Sequence, residues 1–483
     1  MSTFTRKLIL GERVMYADGA SPVNCVFAVS VRGGLSPERI RRALNTVQAK
    51  HPLLQARIVW KGGKPYFVGE AVAPVGDVHD SRVSGGKVVG EIPVRVLDRR
   101  SEDDWQKVTQ AEWGLPFVAE KGPLARVVWV RPGDEPDEAG VETVSELVLV
   151  CPHCICDGAT GVTLMREILL LLDRPEEMIG SYSVFRSVKE IIPPSLLADK
   201  GSRIKAYLRS IGLRILFSLR PVRKTGEEGK NYVIRWRLDE GMSGALIERC
   251  KAEDVTVHAA LCVALLGAYK EVKKEESKNK VICPVDIRRY VQEIRKDMMF
   301  AFAPIVELSV AAAAGESDSW GAEVGSSGVA SAGAVGFWER CRQLKEGLAE
   351  KIDTIKAYEL LLHSEYYHPV AKKLIRWLCS DAGSHDFTFS NMGRLDIPEE
   401  YETFSVEAVY SPTVAFPWRN PTTVVVSSFR RQMEFAYVSN SGFLPYGKAM
   451  AIKEEAMQVL ADVTRVLVQS DPSVAGVLPV DPK

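Results

Sequence analysis

The stretch from Glu146 to Leu172 reads ELVLVCPHCICDGATGVTLMREILLLL, and the order of its parts narrows the folds open to the chain. Glu146 to Cys151 is a short stretch, apolar without a break from Leu147 and closed by Pro152, the pattern of a buried strand. After Gly158, Val162, Met165, Ile168 and Leu169 return at helical spacing along one face. A buried strand feeding a helix predicts an α/β architecture. Between the two elements lie His153, Asp157 and Gly158. A histidine at a strand end is held by the sheet, and its ordinary pKa of ~6.5 suits it to take a proton near neutral pH. Gly158 leaves room for a substrate beside the backbone.

At 483 residues the chain exceeds one ordinary core, and its length favours about two to three domains. Lys and Arg (62) balance Asp and Glu (62), so there is no electrostatic case for a nucleic-acid partner. Nine irregularly spaced cysteines argue for free thiols in a reducing compartment. Leu8 to Leu10 is too short for a signal-peptide core, and no run approaches the roughly 18 apolar residues of a membrane span. The expected location is cytoplasmic.

Residues 1–180 alternate strand-like and helix-like stretches and read as one α/β lobe. Strands are expected at Val23 to Val31, Ala56 to Trp60, Ile92 to Leu97, Ala125 to Val130 and Glu146 to Cys151. Ser36-Pro37 opens a helix that should end near His51-Pro52. Residues 181–228 read as a basic linker. Pro193-Pro194 breaks the chain, and 200–224 carries Arg203, Lys205, Arg209, Arg214, Arg220 and Arg223 with no acidic residue. Drawn as a helix, this segment gathers Ile204, Tyr207, Leu208, Ile211, Ile215 and Leu219 near one side. That pattern suits an anionic partner or peripheral contact with an anionic membrane. A second lobe, 229–483, begins with a strand at Tyr232 to Leu238 and helices from Gly241 and Thr256. Ala311 to Gly336, rich in Ala, Gly and Ser, reads as a loop. Strands are expected near Phe387, Val406, Val424 and Phe435, and a last helix at Lys448 to Val468.

Cys151, His153, Cys154 and Cys156 are all metal-ligand types. Strand alternation would turn Cys154 and Cys156 away from Cys151 and His153, so no metal site is expected. Taken alone, His153 also reads as a hydrogen-bonded core histidine. Four segments in the same chain order weigh against that: ALNTVQAKHPLLQARIVW, PHCICDG, VICPVDIRRY and FTFSNMGRLD. Together they resemble the CoA-dependent acyltransferase superfamily, which includes nonribosomal-peptide condensation domains, alcohol and BAHD acyltransferases and chloramphenicol acetyltransferase.

The resemblance implies two similar chloramphenicol-acetyltransferase-like lobes with a tunnel between them. In it, His153 is the general base. Asp157 is structural and pairs with an arginine, best matched by Arg288, with Arg289 as the competitor. Ser390 and Asn391 match positions that place substrate or an oxyanion, against the plainer reading of Asn391 as a turn residue. No permanently bound cofactor is implied; the co-substrate is acyl-CoA or a phosphopantetheinyl thioester on an acyl carrier protein, the acceptor is a small-molecule or lipid-like alcohol or amine, and the CoA phosphates or an acidic carrier protein would be anionic partners for 200–224. Pro152 stands where condensation domains carry a second histidine, and the BAHD Asp-Phe-Gly-Trp-Gly signature is absent. The leading expectation is therefore an acyltransferase, with a condensation-type amide synthase and a non-catalytic binder of an acylated partner as rivals. Of the other histidines, His51 falls at a helix end and His258 in an apolar helix, while His363, His368 and His385 show no partners in sequence.

Overall fold

A computed structural model of the chain describes residues 2–71, 89–132, 143–219, 229–310, 329–381 and 383–470. The strand that ends at the motif, Val144–Pro152, is buried along nearly its whole length. It lies in the middle of a five-stranded sheet ordered Ser405–Thr413, Asn24–Arg32, Val144–Pro152, Arg126–Arg131, Val94–Asp98. Helices Pro37–Lys50 and Gly158–Asp173 cover one face of this sheet, and Asp104–Gly114 covers the other. Ser36 caps the first of these helices, its hydroxyl accepting from the Arg39 N–H, and His51 closes it before Pro52. Ser2–Lys7, Lys64–Ala71 and Ala56–Lys61 form a small antiparallel sheet beside this lobe.

The second lobe is built on a six-stranded sheet ordered Ile305–Ser309, Lys280–Pro284, Phe387–Arg394, Thr423–Phe429, Gln432–Asn440, Asn231–Leu238. Thr256 caps the helix Val257–Lys273, which is buried without a break from Ala259 to Tyr269. It is packed between the sheet, the helix Val329–Asp353 and the helix Tyr446–Ser470. A helix segment enclosed on all sides needs no polar face, which is why the sequence is apolar from Ala259 to Tyr269. Among the described residues no single helix is long and apolar enough to cross a membrane.

Two expectations change. The division at residues 180 and 229 follows the chain and not the sheets, because Ser405–Thr413 leaves the second lobe and pairs antiparallel with Asn24–Arg32 as an edge strand of the first. The stretch read as a loop through residue 336 is helical from Val329; 311–328 lie outside the described residues. Within 181–228, the segment drawn as a helix from sequence forms one, Lys200–Leu219. Arg220 and Arg223 lie outside the described residues.

The crossing strand is fastened where its register slips between Tyr410 and Thr413. Glu434, on a strand of the second sheet, accepts from the Ser411 backbone N–H at 2.6 Å and from the Arg235 guanidinium at 2.7 Å. Arg235 in turn lies over the Trp105 ring, which stacks on Tyr410. Removing one partner of a buried ion pair leaves an uncompensated charge and costs about 3–5 kcal/mol. Glu434→Ala is therefore expected to lower the melting temperature clearly, and Glu434→Gln, which retains an acceptor for Ser411, to lower it less. Equal shifts in thermal denaturation would show that the acceptor on Ser411 carries no weight.

Candidate active site

The sheet stops at Pro152, and the chain turns at once: the Ile155 N–H donates to the Pro152 carbonyl at 3.0 Å. His153 sits at this turn, pinned by its own N–H to the Val23 carbonyl at 2.7 Å. Its ring is partly exposed and rests against Phe416, with centroids 5.6 Å apart. Its Nδ1 is buried without a hydrogen-bond partner among the described residues, so no protein acceptor there selects the tautomer. Phe416 was not singled out from sequence. It lies in Ala415-Phe416-Pro417-Trp418, a turn outside any strand period, and aromatic residues flanking a proline there were the only signal.

Asp157 caps the helix Gly158–Asp173, its Oδ1 accepting from the Thr160 N–H at 2.9 Å. Both carboxylate oxygens also receive Arg288, at 2.8 and 3.0 Å. Arg288 is almost fully buried and donates further to the Thr160 hydroxyl, the Phe300 carbonyl and Asp286. Burial pushes the Asp157 carboxyl up, but the Arg288 charge and hydrogen bonds outweigh it and hold the group below the ordinary carboxylate range. Arg289, the competitor, is exposed and lies over the Tyr290 ring. Arg288 is thus the partner, and the pair joins the first lobe's motif helix to the segment after Lys280–Pro284 in the second.

Gly158 borders the second lobe directly. A Cβ built there would stand 2.4 Å from Sδ of Met392. Met392 therefore meets the motif, one residue beyond the pair chosen from sequence. Ser390 is partly buried. Asn391 is exposed, and its Oδ1 accepts from the Gly393 N–H at 2.8 Å, within the strand Phe387–Arg394 where its register against Thr423–Phe429 shifts.

The cysteines depart from strand alternation because the strand has ended. Cys156 folds back beside Cys25 and Cys151, its thiol donating to the Asp157 carbonyl at 3.4 Å, while Cys25 donates to the Cys156 carbonyl at 3.2 Å. Burial pushes the Cys25 and Cys154 thiols up, so both pack as small apolar groups behind the loop. One cluster among the described residues has metal-ligand spacing: His258, Cys262 and Cys283, whose donor atoms all lie within 4.8 Å of one another. It sits in the second lobe's core, with the His258 ring against Phe389, and offers three donors where a closed tetrahedral site uses four.

Three of the other histidines have side-chain partners. His51 pairs with Glu167 at 2.7 Å, His363 with the Ser202 hydroxyl at 3.0 Å and His368 with Glu365 at 3.2 Å. A small pocket of about 30 Å³ is lined by Arg6, His51, Tyr182 and Met298 among others, and none of its walls comes from the His153–Gly158 loop.

No family model matches the chain. Over 273 residues, 52% of this chain, it is 25% identical to chondramide synthase cmdD from Chondromyces crocatus, and the match spans only 6% of that synthase's length. Among solved structures, the trichothecene 15-O-acetyltransferase TRI3 from Fusarium sporotrichioides aligns over 95% of this chain and 96% of its own at a TM-score of 0.69 and 12% identity. The first condensation domain of the CDA synthetase aligns over 96% of both chains at 0.64 and 14%. The epimerization domain of tyrocidine synthetase B aligns over 97% of this chain and 99% of its own at 0.62 and 11%. The chain has the two-lobed mixed α and β fold of these acetyltransferase and condensation domains. A two-lobed fold of this kind is what the resemblance of the four motif segments implied.

The Asp157–Arg288 pair yields a stability prediction. Loss of either partner strands a buried charge and is expected to cost about 3–5 kcal/mol, and a double-mutant cycle of Asp157→Ala and Arg288→Ala should be strongly non-additive. Because the folded-state pKa of Asp157 is depressed, the unfolded chain binds the proton more tightly. The stabilisation is therefore fully present above the unfolded value of ~3.9 and lost as pH falls through the lower folded value. Wild type and Asp157→Ala should converge in stability at strongly acid pH. Losses that simply add would rule out the coupling.

Proposed function

We propose that the chain is an acyltransferase that moves an acyl group from a thioester, acyl-CoA or an acyl carrier protein's phosphopantetheinyl arm, to an alcohol or amine. One observation carries this reading. The two proton-accepting groups of the motif have separate fates: Asp157 is consumed by Arg288 and the helix N-terminus, whereas His153 stands partly exposed at the strand end. His153 removes the proton from the acceptor hydroxyl or amine as the latter attacks the thioester carbonyl. The tetrahedral intermediate collapses, the C–S bond breaks, and the thiolate leaves with the proton from His153. No covalent acyl-enzyme is needed. Asp157, Gly158 and Arg288 hold the loop, and substrates approach His153 along the seam between the lobes, past Phe416 and Met392. Ser390 and Asn391 are assigned to substrate placement or the oxyanion.

The acetyltransferase TRI3 shares the fold over nearly the whole chain, which supports transfer to a small acceptor. The sequence match to a chondramide synthase favours a second reading, amide formation between carrier-bound substrates. Thiol release from a panel of acyl-CoA and acyl-carrier donors, offered alcohol and amine acceptors, separates the two. His153→Ala is expected to keep its circular dichroism and melting temperature while losing roughly two to four orders of magnitude in rate. A folded His153→Ala protein with the wild-type rate overturns the assignment, and a wild type that binds donors without releasing thiol leaves a non-catalytic binder.

A further inference from the structure

Among the described residues, six of the fourteen large apolar side chains that stand exposed belong to one helix, Lys200–Leu219. Single exposed apolar residues are ordinary, but such a concentration marks an interaction surface. The helix turns Ala206 and Ser210 inward, both buried. It rests on the 363–366 region, where Ser202 meets His363 and the Tyr207 ring meets Tyr366. Its outward side presents Ile204, Tyr207, Leu208, Ile215 and Leu219, between 47% and 78% exposed. With Ile211, residues 204, 208, 215 and 219 recur at spacings of three and four, so they form a continuous stripe along the helix.

We infer that this helix lies on an anionic lipid surface. At 100° per residue, exposed Lys205 and Arg209 fall on one flank of the stripe and exposed Arg203 on the other, and the helix holds no acidic residue. Cations on both flanks of an apolar stripe let the stripe enter the acyl boundary while the charges reach phosphate headgroups. The adjoining helix Ala371–Ser380 adds exposed Lys372, Lys373 and Arg376. A second copy of the chain fits poorly, because stripe-to-stripe packing would set these cations against their like.

The test is cosedimentation of the full chain with phosphatidylcholine vesicles, with and without phosphatidylserine. Binding is expected only with phosphatidylserine and should fade as salt is raised. Combined Arg203→Glu, Lys205→Glu and Arg209→Glu should weaken it by about a hundredfold or more. Leu208→Ser with Ile215→Ser should also weaken it at an unchanged melting temperature, since both side chains are exposed. Absence of wild-type binding to anionic vesicles, equal binding to both vesicle types, or full binding by either folded variant overturns the inference. So does stripe-dependent self-association in sedimentation velocity without vesicle binding. The readout is adhesion and not turnover, so its failure leaves the acyl-transfer reading standing.

Discussion

The contact between Asp157 and Arg288 ties the rest of the structure together. One carboxylate, at the N-terminus of a helix, takes two guanidinium hydrogen bonds and one from the backbone, while the guanidinium also reaches the Thr160 hydroxyl and the Phe300 carbonyl. Bidentate pairs of this kind are directional as well as strong. They fix the motif helix of the first lobe against the second and leave little freedom to the loop that ends in His153. The same engagement occupies both oxygens of Asp157, whereas His153, the base of the proposed acyl transfer, stands partly exposed at the strand end.

Neither lobe is closed without the other. Ser405–Thr413 travels from the second half of the chain to the edge of the first sheet, and Glu434 and Arg235 grip it from behind. Buried Val438 of the second sheet packs in one apolar cluster with Val26, Val148 and Trp105 of the first lobe. Burial of this kind makes the interface resemble a domain interior more than a hinge. Met392 approaches Gly158 across the boundary between the lobes, where a side chain at 158 would force Met392 to move. The reason for the glycine is steric, since its φ lies outside the left-handed region.

The loop's thiols illustrate how a local rule fails at its boundary. Alternation along a strand requires extended backbone, and the backbone ceases to be extended at Pro152. Cys156 consequently returns to the neighbourhood of Cys151 instead of pointing away from it. The helical start at Val329 is a similar case: composition alone suggested a loop there.

The strand, the motif and the following helix were legible in sequence because each rests on short-range physics: periodicity, proline and glycine geometry, and capping by Ser36, Asp157 and Thr256. Arg288 could be nominated from the DIRRY segment only through family resemblance, and its choice over Arg289 needed the fold, since adjacent residues differ only in which side the chain buries. Phe416 and Met392 had no local signature, because their closeness to His153 and Gly158 depends on elements hundreds of residues apart in the chain. The crossing of Ser405–Thr413 was equally hidden: a strand's sequence states that it is half buried, and tertiary packing alone decides which sheet completes its hydrogen bonds.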